Sequence, residues 1–440
     1  MDHSKNEELL FWLEGVIERR VNGLLPSILR STFFILSLIY GRLMALKGLL
    51  YQLNILNEWI FGIQIISIGN ITMGGTGKTP VVELLAKRLQ EKGRKVAIIS
   101  SGYKSSHLEA PQIWEDSKKK KPYDWEKVFA TYGLNLSNIR KKGSKSAQRY
   151  YPKVVSDGHQ IYLNVNHAGD EPMMLAKNLN GVSVVVGKKR RLSAHFAIEQ
   201  LNCDTLILDD GMQYLDMHHD HDFVLIDSGN PFHNGHLIPR GKLREHPKNL
   251  ARASCIMLTK CKGNSNTQLI SQIRRYNKVA DIVECTHAAK KLIRVFDDDS
   301  LGPKEIPLYA LQGKHVAALS GIAVPQSFED KLTQLGARVE FHKSYPDHHN
   351  FSQEEIDTFM DRCLKRSIDL VITTEKDAVR FLKPTILDTP VYYLRIEIEI
   401  LRGQELFDRI VNVMSGKIKP HLEGPSIDAN ILTSDLTETA

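Results

Sequence analysis

The chain is 440 residues long, 42% apolar and 25% charged, which is ordinary for a soluble globular protein with two or three domains and a large core. Five widely spread cysteines (Cys203, Cys255, Cys261, Cys285, Cys363) exclude a zinc-finger pattern and read as reduced thiols in a cytosolic compartment. The net charge of +7 is uneven: Lys104–Lys153 holds twelve Lys/Arg against five Asp/Glu, and that segment alone carries the excess.

Residues 1–23 are polar and mixed in charge. Asp2, Glu7 and Glu8 occupy the end that a signal peptide would make basic. Leu24–Leu53 is helical and apolar-rich. Its uninterrupted apolar run is too short for a membrane span, and Arg30, Arg42 and Lys47 break up the rest. At about 100° per residue, Arg30, Ser37, Gly41, Gly48 and Gln52 fall within about 60° of one another. A narrow small-and-polar stripe with a broad apolar remainder predicts a helix lying in a membrane interface. The alternative is a helix packed on the protein's own core or on a partner.

Gln64–Ile68 is an apolar run suited to a buried strand, and GNITMGGTGKTP follows. Glycines let backbone N–H groups approach phosphate oxygens at a helix N-terminus. Thr72, Met73, Gly74, Gly75, Thr76, Gly77, Lys78 and Thr79 are therefore the expected nucleotide-binding residues. Lys78 reaches the β- and γ-phosphates, and the Thr79 hydroxyl ligates Mg²⁺. The strict pattern wants Gly at position 72, where this chain has Thr72. Pro80 suits the first turn of the helix that continues to a Gly stop.

Further strands are expected at Lys95–Ser100, Val182–Val186, Thr205–Leu208 and Phe223–Ile226, alternating with helical patterns. That order predicts an α/β fold, a mostly parallel sheet with helices on both faces. The basic segment at about 105–153 reads as a surface insertion. It is solvated, or it meets anionic lipid or substrate, and no nucleic-acid motif accompanies it. A second, smaller α/β region starts near residue 251, with strands at Cys255–Leu258, Val316–Leu319, Arg338–Phe341, Leu370–Thr373 and Val391–Leu394. The expected divisions are thus 1–60, 61–250, 251–415 and a turn-rich, disordered tail at 416–440.

Several segments bear chemistry. Thr205–Asp210 (TLILDD) ends an apolar strand in Asp209 and Asp210, the arrangement a Mg²⁺-holding carboxylate needs beside a phosphate loop. In GDEP, Asp170 either caps a helix or, with Glu171, supplies the carboxylate that deprotonates an acceptor hydroxyl. In NGHLIPRGKLRE, Arg244 is a candidate to neutralise phosphate and Glu245 to approach a metal. YPDHHN places Asp347 and His348 in a turn. MHHDHD (His218, His219, His221) resembles a metal tract, but no second ligand cluster has matching spacing.

The ordered series GNITMGGTGKTP, SSGYKS, GDEP, LILDDGMQY, IDSGNPFHNGHLIPRGKLRE, YPDHHNFS and TTEKDAVR resembles the tetraacyldisaccharide 4′-kinase family (lipid A 4′-kinase, LpxK) over about residues 20–410. The resemblance implies a bacterial enzyme on the cytoplasmic face of the inner membrane. It would move the γ-phosphate of ATP, with Mg²⁺, to the 4′-hydroxyl of a tetraacylated disaccharide 1-phosphate. It implies Asp170 as the catalytic Asp, with His348 as the partner that raises its basicity, so that closure of two domains completes the site. Glu171 and Asn234 then support the site or the substrate, and Asp209, Asp210 and Glu245 the metal. Beside this stands a membrane-associated phosphate-loop NTPase switch that hydrolyses rather than transfers.

Overall fold

The computed structural model describes residues 9, 12–102, 105–106, 115–116, 121–122, 124–131 and 150–416. Most of the basic insertion and the tail beyond 416 lie outside the described residues, and so do the expectations for them.

Among the described residues one sheet has thirteen strands. They are β1 (Gln64–Asn70), β2 (Val96–Ser100), β3 (Lys153–Ser156), β4 (Ser183–Val186), β5 (Thr205–Asp209), β6 (His221–Asp227), β7 (Cys255–Thr259), β8 (Asp281–Arg294), β9 (Glu305–Pro307), β10 (His315–Ser320), β11 (Arg338–Ser344), β12 (Leu370–Thr374) and β13 (Val391–Arg402). Their spatial order is β11-β10-β12-β13-β8-β7-β6-β1-β5-β2-β4-β3, with β9 paired to β8. From β4 to β8 every pairing is parallel, as is every pairing from β11 to β13. The two parallel halves meet at the long antiparallel pair β8–β13.

Every expected strand forms within a few residues of its place. The strands missed are β3, β8 and β9. The division at residue 251 does not follow the sheet, because β7 and β8 complete the first half. The last helix also returns there: Phe407, Val411 and Met414 join the same core as Val82, Leu85 and Leu89. Helices cover both faces of the first half, which is why its strands read as continuous apolar runs. α2 (Lys78–Glu91) packs over Ile66 and Ile68 of β1. α3 (Asp170–Asn178) joins it there through Met173, Leu175 and Ala176. On the other face, α4 (Arg190–Glu199) lays Ala194 and Ala197 against Ile65, Ile99 and Leu208. In the second half, a capping box of Ser352 and Glu355 starts α5 (Gln353–Lys365), and Ile356, Phe359 and Met360 bury themselves against Leu319 and Val371. A single helical turn, α6 (Glu375–Ala378), follows β12 directly, and α7 (Gln404–Ser415) ends the described chain.

α1 (Leu24–Gln52) lies over the 213–245 region. Part of its narrow stripe, Ser37 and Gly41, faces inward. Ser37 is buried, and a Cβ on Gly41 would stand 2.7 Å from Leu237. The Tyr40 hydroxyl donates to the Arg244 carbonyl at 2.8 Å and Lys47 to the Gln213 carbonyl at 3.2 Å. The broad apolar face is bare, with Leu24, Ile28, Ile35, Ile39, Leu43 and Leu46 all exposed. By length and composition this helix is also long enough to cross a membrane, although the three basic residues argued against a span.

The halves are locked by one buried cation. Arg395 of β13 pairs with Glu83 of α2 and, at 2.5 Å, with Glu375 of α6. Asn178 at the end of α3 donates to both acids, at 3.1 and 2.6 Å. Replacing Arg395 by Met leaves two buried carboxylates without their counter-ion, which costs about 3–5 kcal/mol. The expected outcome is a strongly lowered thermal midpoint of R395M in detergent. A midpoint equal to that of the unmutated protein would show that the lock does not hold the halves.

Candidate active site

β1 is flanked by β5 and β6, so the chain leaves its C-terminal end at a point where the strand order reverses, the place where open α/β sheets bind ligands. The phosphate loop sits there. Gly74 and Gly77 have φ of 110° and 79°, conformations that disfavour any side chain, and space around Gly74 and Gly75 is open. At Gly77 a Cβ would also lie 2.0 Å from His287 of β8. Asn70 donates to the Thr76 hydroxyl at 3.0 Å, Thr259 donates to the Thr76 carbonyl at 2.9 Å, and the Met73 amide donates to the Lys242 carbonyl at 2.6 Å. Thr72, the departure from the strict motif, forms a β-bridge with Leu243. The loop is thus held in shape by its neighbours before any ligand binds.

Lys78 and Thr79 open α2, with the Lys78 ammonium 3.4 Å from Asp210. The three acids read as metal-directed separate in the structure. Asp210 is ion-paired to Arg244 at 2.8 Å, and although burial opposes it, Lys78 and Arg244 hold its carboxyl below the ordinary range. Glu245, expected near a metal, is engaged by its own loop. Its carboxylate accepts from Gln213 at 2.9 Å, Asn249 at 2.6 Å and Arg252 at 3.1 Å, which makes it the post of the 234–252 loop. Asn234 does similar work, donating to the Arg240 carbonyl at 3.1 Å and accepting from the His236 amide at 3.2 Å.

Asp209 differs. One oxygen accepts from Ser100 at 3.2 Å, while the other is buried with no partner. Burial pushes its carboxyl up, although Lys78 and Arg190 oppose the shift. Glu171 is also pushed up, by burial first and then by the charge of Asp209. Two acids that face one another with an orphaned oxygen fit a divalent cation that arrives with a triphosphate. Magnesium takes one or two carboxylates and keeps several waters. Among the described residues no three His, Cys, Asp or Glu side chains form a ready-made cage, and Thr79, Asp209 and Glu171 are the donors that fit.

Asp170 does not cap its helix. Gly169 is the cap residue, and the Asp170 side chain instead meets His348 Nδ1 at 2.6 Å, with Arg380 Nε 3.2 Å from its other oxygen. The Asp170 contacts therefore run from the first half to the second. What His348 supplies geometrically is orientation: its Nδ1 lies against one carboxylate oxygen. His218 and His219 of the histidine tract are paired with Glu58 and Asp222, each at 3.2 Å.

Sequence reasoning missed several contributors. The buried Arg190 guanidinium donates to the backbone carbonyls of Asp209 and Asp210 at 2.7 and 2.8 Å. Asp377 accepts from the Gly321 amide at 2.9 Å and pairs with Arg380 at 2.8 Å. Lys153 donates to Ser105 at 2.9 Å and to the His167 carbonyl at 2.5 Å, which ties the base of the insertion to the turn before Asp170. The TTEKDAVR segment was the one available signal for Asp377 and Arg380.

The raised Asp209 carboxyl carries a prediction. The fold disfavours its charged form, so the folded protein holds this proton more tightly than the unfolded chain. Stability is then full at low pH and lost as pH rises through the unfolded carboxylate range, about 4, toward the folded value. Asp209→Asn removes that loss. In the absence of nucleotide and divalent cation, its thermal midpoint should exceed that of the unmutated protein at neutral pH, with the gap closing in acid. Calorimetry at both pH values checks this, and a lower midpoint at neutral pH would refute it.

The comparisons with known proteins agree with one another. The family profile for LpxK, "Tetraacyldisaccharide-1-P 4'-kinase", matches residues 29–124 and 141–415. The tetraacyldisaccharide 4'-kinase of Anaeromyxobacter dehalogenans (strain 2CP-C) is 33% identical over 401 residues, covering 90% of this chain and 93% of that protein. The one from Halothermothrix orenii is 33% identical over 419 residues, covering 92% and 98%. In fold, the chain is similar to LpxK from Aquifex aeolicus, crystallised in complex with ATP, with a TM-score of 0.63, 24% identity and coverage of 88% and 99%.

Proposed function

Because this chain belongs to the LpxK family of tetraacyldisaccharide-1-P 4′-kinases, we propose that it transfers the γ-phosphate of ATP to the 4′-hydroxyl of tetraacyldisaccharide 1-phosphate, a step of lipid A synthesis. The reaction uses Mg²⁺ and takes place on the cytoplasmic face of the bacterial inner membrane.

The observation that carries the reading is the Asp170–His348 contact at 2.6 Å. A hydrolytic switch has no need of a carboxylate held ready for an acceptor hydroxyl. A kinase does, because most of its catalysis is positioning and charge stabilisation. The triphosphate lies along the phosphate-loop amides and the N-terminus of α2, with Lys78 against the β- and γ-phosphates. Thr79, Asp209 and Glu171 would hold a divalent cation, which would supply neutralisation of phosphate charge. Asp170 takes the proton from the 4′-hydroxyl as its oxygen attacks the γ-phosphorus. The bond from that phosphorus to the bridging oxygen breaks, and ADP leaves. Arg244 stays paired with Asp210 at the edge of the nucleotide site.

The exposed apolar face of α1 supports the membrane part. Between α1 and the loop after β6 runs a groove of about 390 Å³, lined by Phe34, Leu38, Gly41, His236 and Leu237. Its largely apolar lining suits an acyl chain, and Glu245 is also part of the lining.

The test is transfer of labelled γ-phosphate to tetraacyldisaccharide 1-phosphate in detergent micelles, with Lys78→Ala as the blank. Lys78-dependent labelled lipid is expected, whereas free phosphate without labelled lipid would point to the NTPase switch. Asp170→Ala should cut turnover by about 10²–10⁴-fold while ATP affinity stays within about twofold. Equal loss of ATP binding would make Asp170 structural. Removing residues 1–53 should abolish sedimentation with membranes, and unchanged sedimentation would place the anchor elsewhere.

A further inference from the structure

The His348 ring sits between two carboxylates. Its Nδ1 is 2.6 Å from Asp170, and its Nε2 is 3.9 Å from Asp347. Between Nε2 and Asp347 comes Lys376 of α6, whose Nζ is 3.1 Å from Nε2 and 2.7 Å from Asp347 Oδ1. Among the described residues, Arg380 and Glu171 also face this cluster.

An ammonium has hydrogens to donate and no lone pair to accept with. Nε2 must therefore present its lone pair to Lys376. A neutral ring then carries its hydrogen on Nδ1, aimed at Asp170. Without the ammonium, Asp347 would be the nearest charged neighbour of Nε2, and it favours a hydrogen there. The ring would become the opposite tautomer, which leaves Asp170 without its donor, or an imidazolium held between two carboxylates.

We propose that Lys376 is a positioning residue for the transfer reaction: its ammonium fixes His348 as the tautomer that donates from Nδ1 to Asp170. Lys376 itself is held in place by two contacts. Asp347 grips its ammonium. α6 is set by the Thr374 cap and by Asp377, which accepts from the Gly321 amide. The Gly321 carbonyl in turn accepts from the His348 amide at 3.4 Å. The histidine and the lysine thus share one scaffold at the C-terminal ends of β10 and β12. His348 is itself at φ 64°, a left-handed conformation that is uncommon for a residue with a side chain.

The proposal rests on the kinase reading for its kinetic part only, since the tautomer is read without turnover. The experiment uses the full chain in detergent with ¹⁵N-labelled histidine rings, the His348 signals being assigned by their loss in H348Q. The unmutated protein should show the neutral Nδ1–H pattern at neutral pH, and K376M should show Nε2–H or a doubly protonated ring. K376R keeps a donor-only cation and should retain the Nδ1–H pattern. K376M should lose about 10²-fold or more in kcat with KM for ATP unchanged, and K376R should recover part of it. An Nε2–H pattern in the unmutated protein overturns the proposal even if K376M does not fold. So does a K376M enzyme that keeps the Nδ1–H pattern or turns over within about threefold of the unmutated rate.

Discussion

A single guanidinium holds the catalytic geometry together. Arg395 lies on the strand where the two parallel halves meet, and it binds an acid from the phosphate-loop helix and another from the turn that carries Lys376, Asp377 and Arg380. Asn178, at the far end of the helix that Asp170 begins, joins the same cluster. The phosphate-loop side and the Asp170–His348 side of the candidate site are therefore referred to one point. Burial raises Glu375, and Arg395 opposes that shift. A cluster with two acids and one cation is costly to assemble, and its value lies in fixing which elements meet. The long antiparallel pair β8–β13 does the same along the backbone, so the halves form one sheet rather than two bodies on a linker.

Within that frame the charges are sorted by task. Asp210 is paired with Lys78 and Arg244, and Glu245 with Arg252, so both serve as fixtures. Asp209 and Glu171 are left facing each other, buried, with too little positive charge to satisfy them. Functional sites commonly keep such unfavourable arrangements, because the ligand resolves them. Arg190 keeps the backbone of the acidic pair in place while leaving the Asp209 side chain free of its own charge pairing.

The parts of this site that could be read from sequence were those whose meaning is local. A phosphate loop is a strand, a Gly-rich turn and a helix in one short window, and TLILDD is a strand ending in acid. The buried strands of the first half also announced themselves, since both faces are covered and the runs are uniformly apolar. β8 escaped because DIVECTHAAKKLIR is only partly buried and mixes polar with apolar positions. Arg395 and Glu83 are 312 residues apart, and Asp170 and His348 are 178 apart, so no local window shows that they touch. The latter pair was named through motif resemblance. The partners of Glu245 were hidden for a related reason: beside Arg244 it looks like one more acid at a phosphate site, and only the return of the chain brings Asn249 and Arg252 onto it. That the strands after residue 251 continue the first half of the sheet was not visible either, because strand order in a sheet is not chain order.

The stripe of α1 has one more consequence. Ser37 and Gly41 face inward and many leucines and isoleucines outward, so the helix adheres to the protein along one narrow edge and offers an oily flank to whatever surrounds it. A protein and a four-chained acceptor that share a surface meet by lateral diffusion in two dimensions. The quantity that governs their encounter is then the mole fraction of acceptor in that surface, not its molarity in the tube. On the membrane-surface reading proposed above, diluting the acceptor with inert amphiphile would slow the reaction even with the amount of acceptor in the volume unchanged.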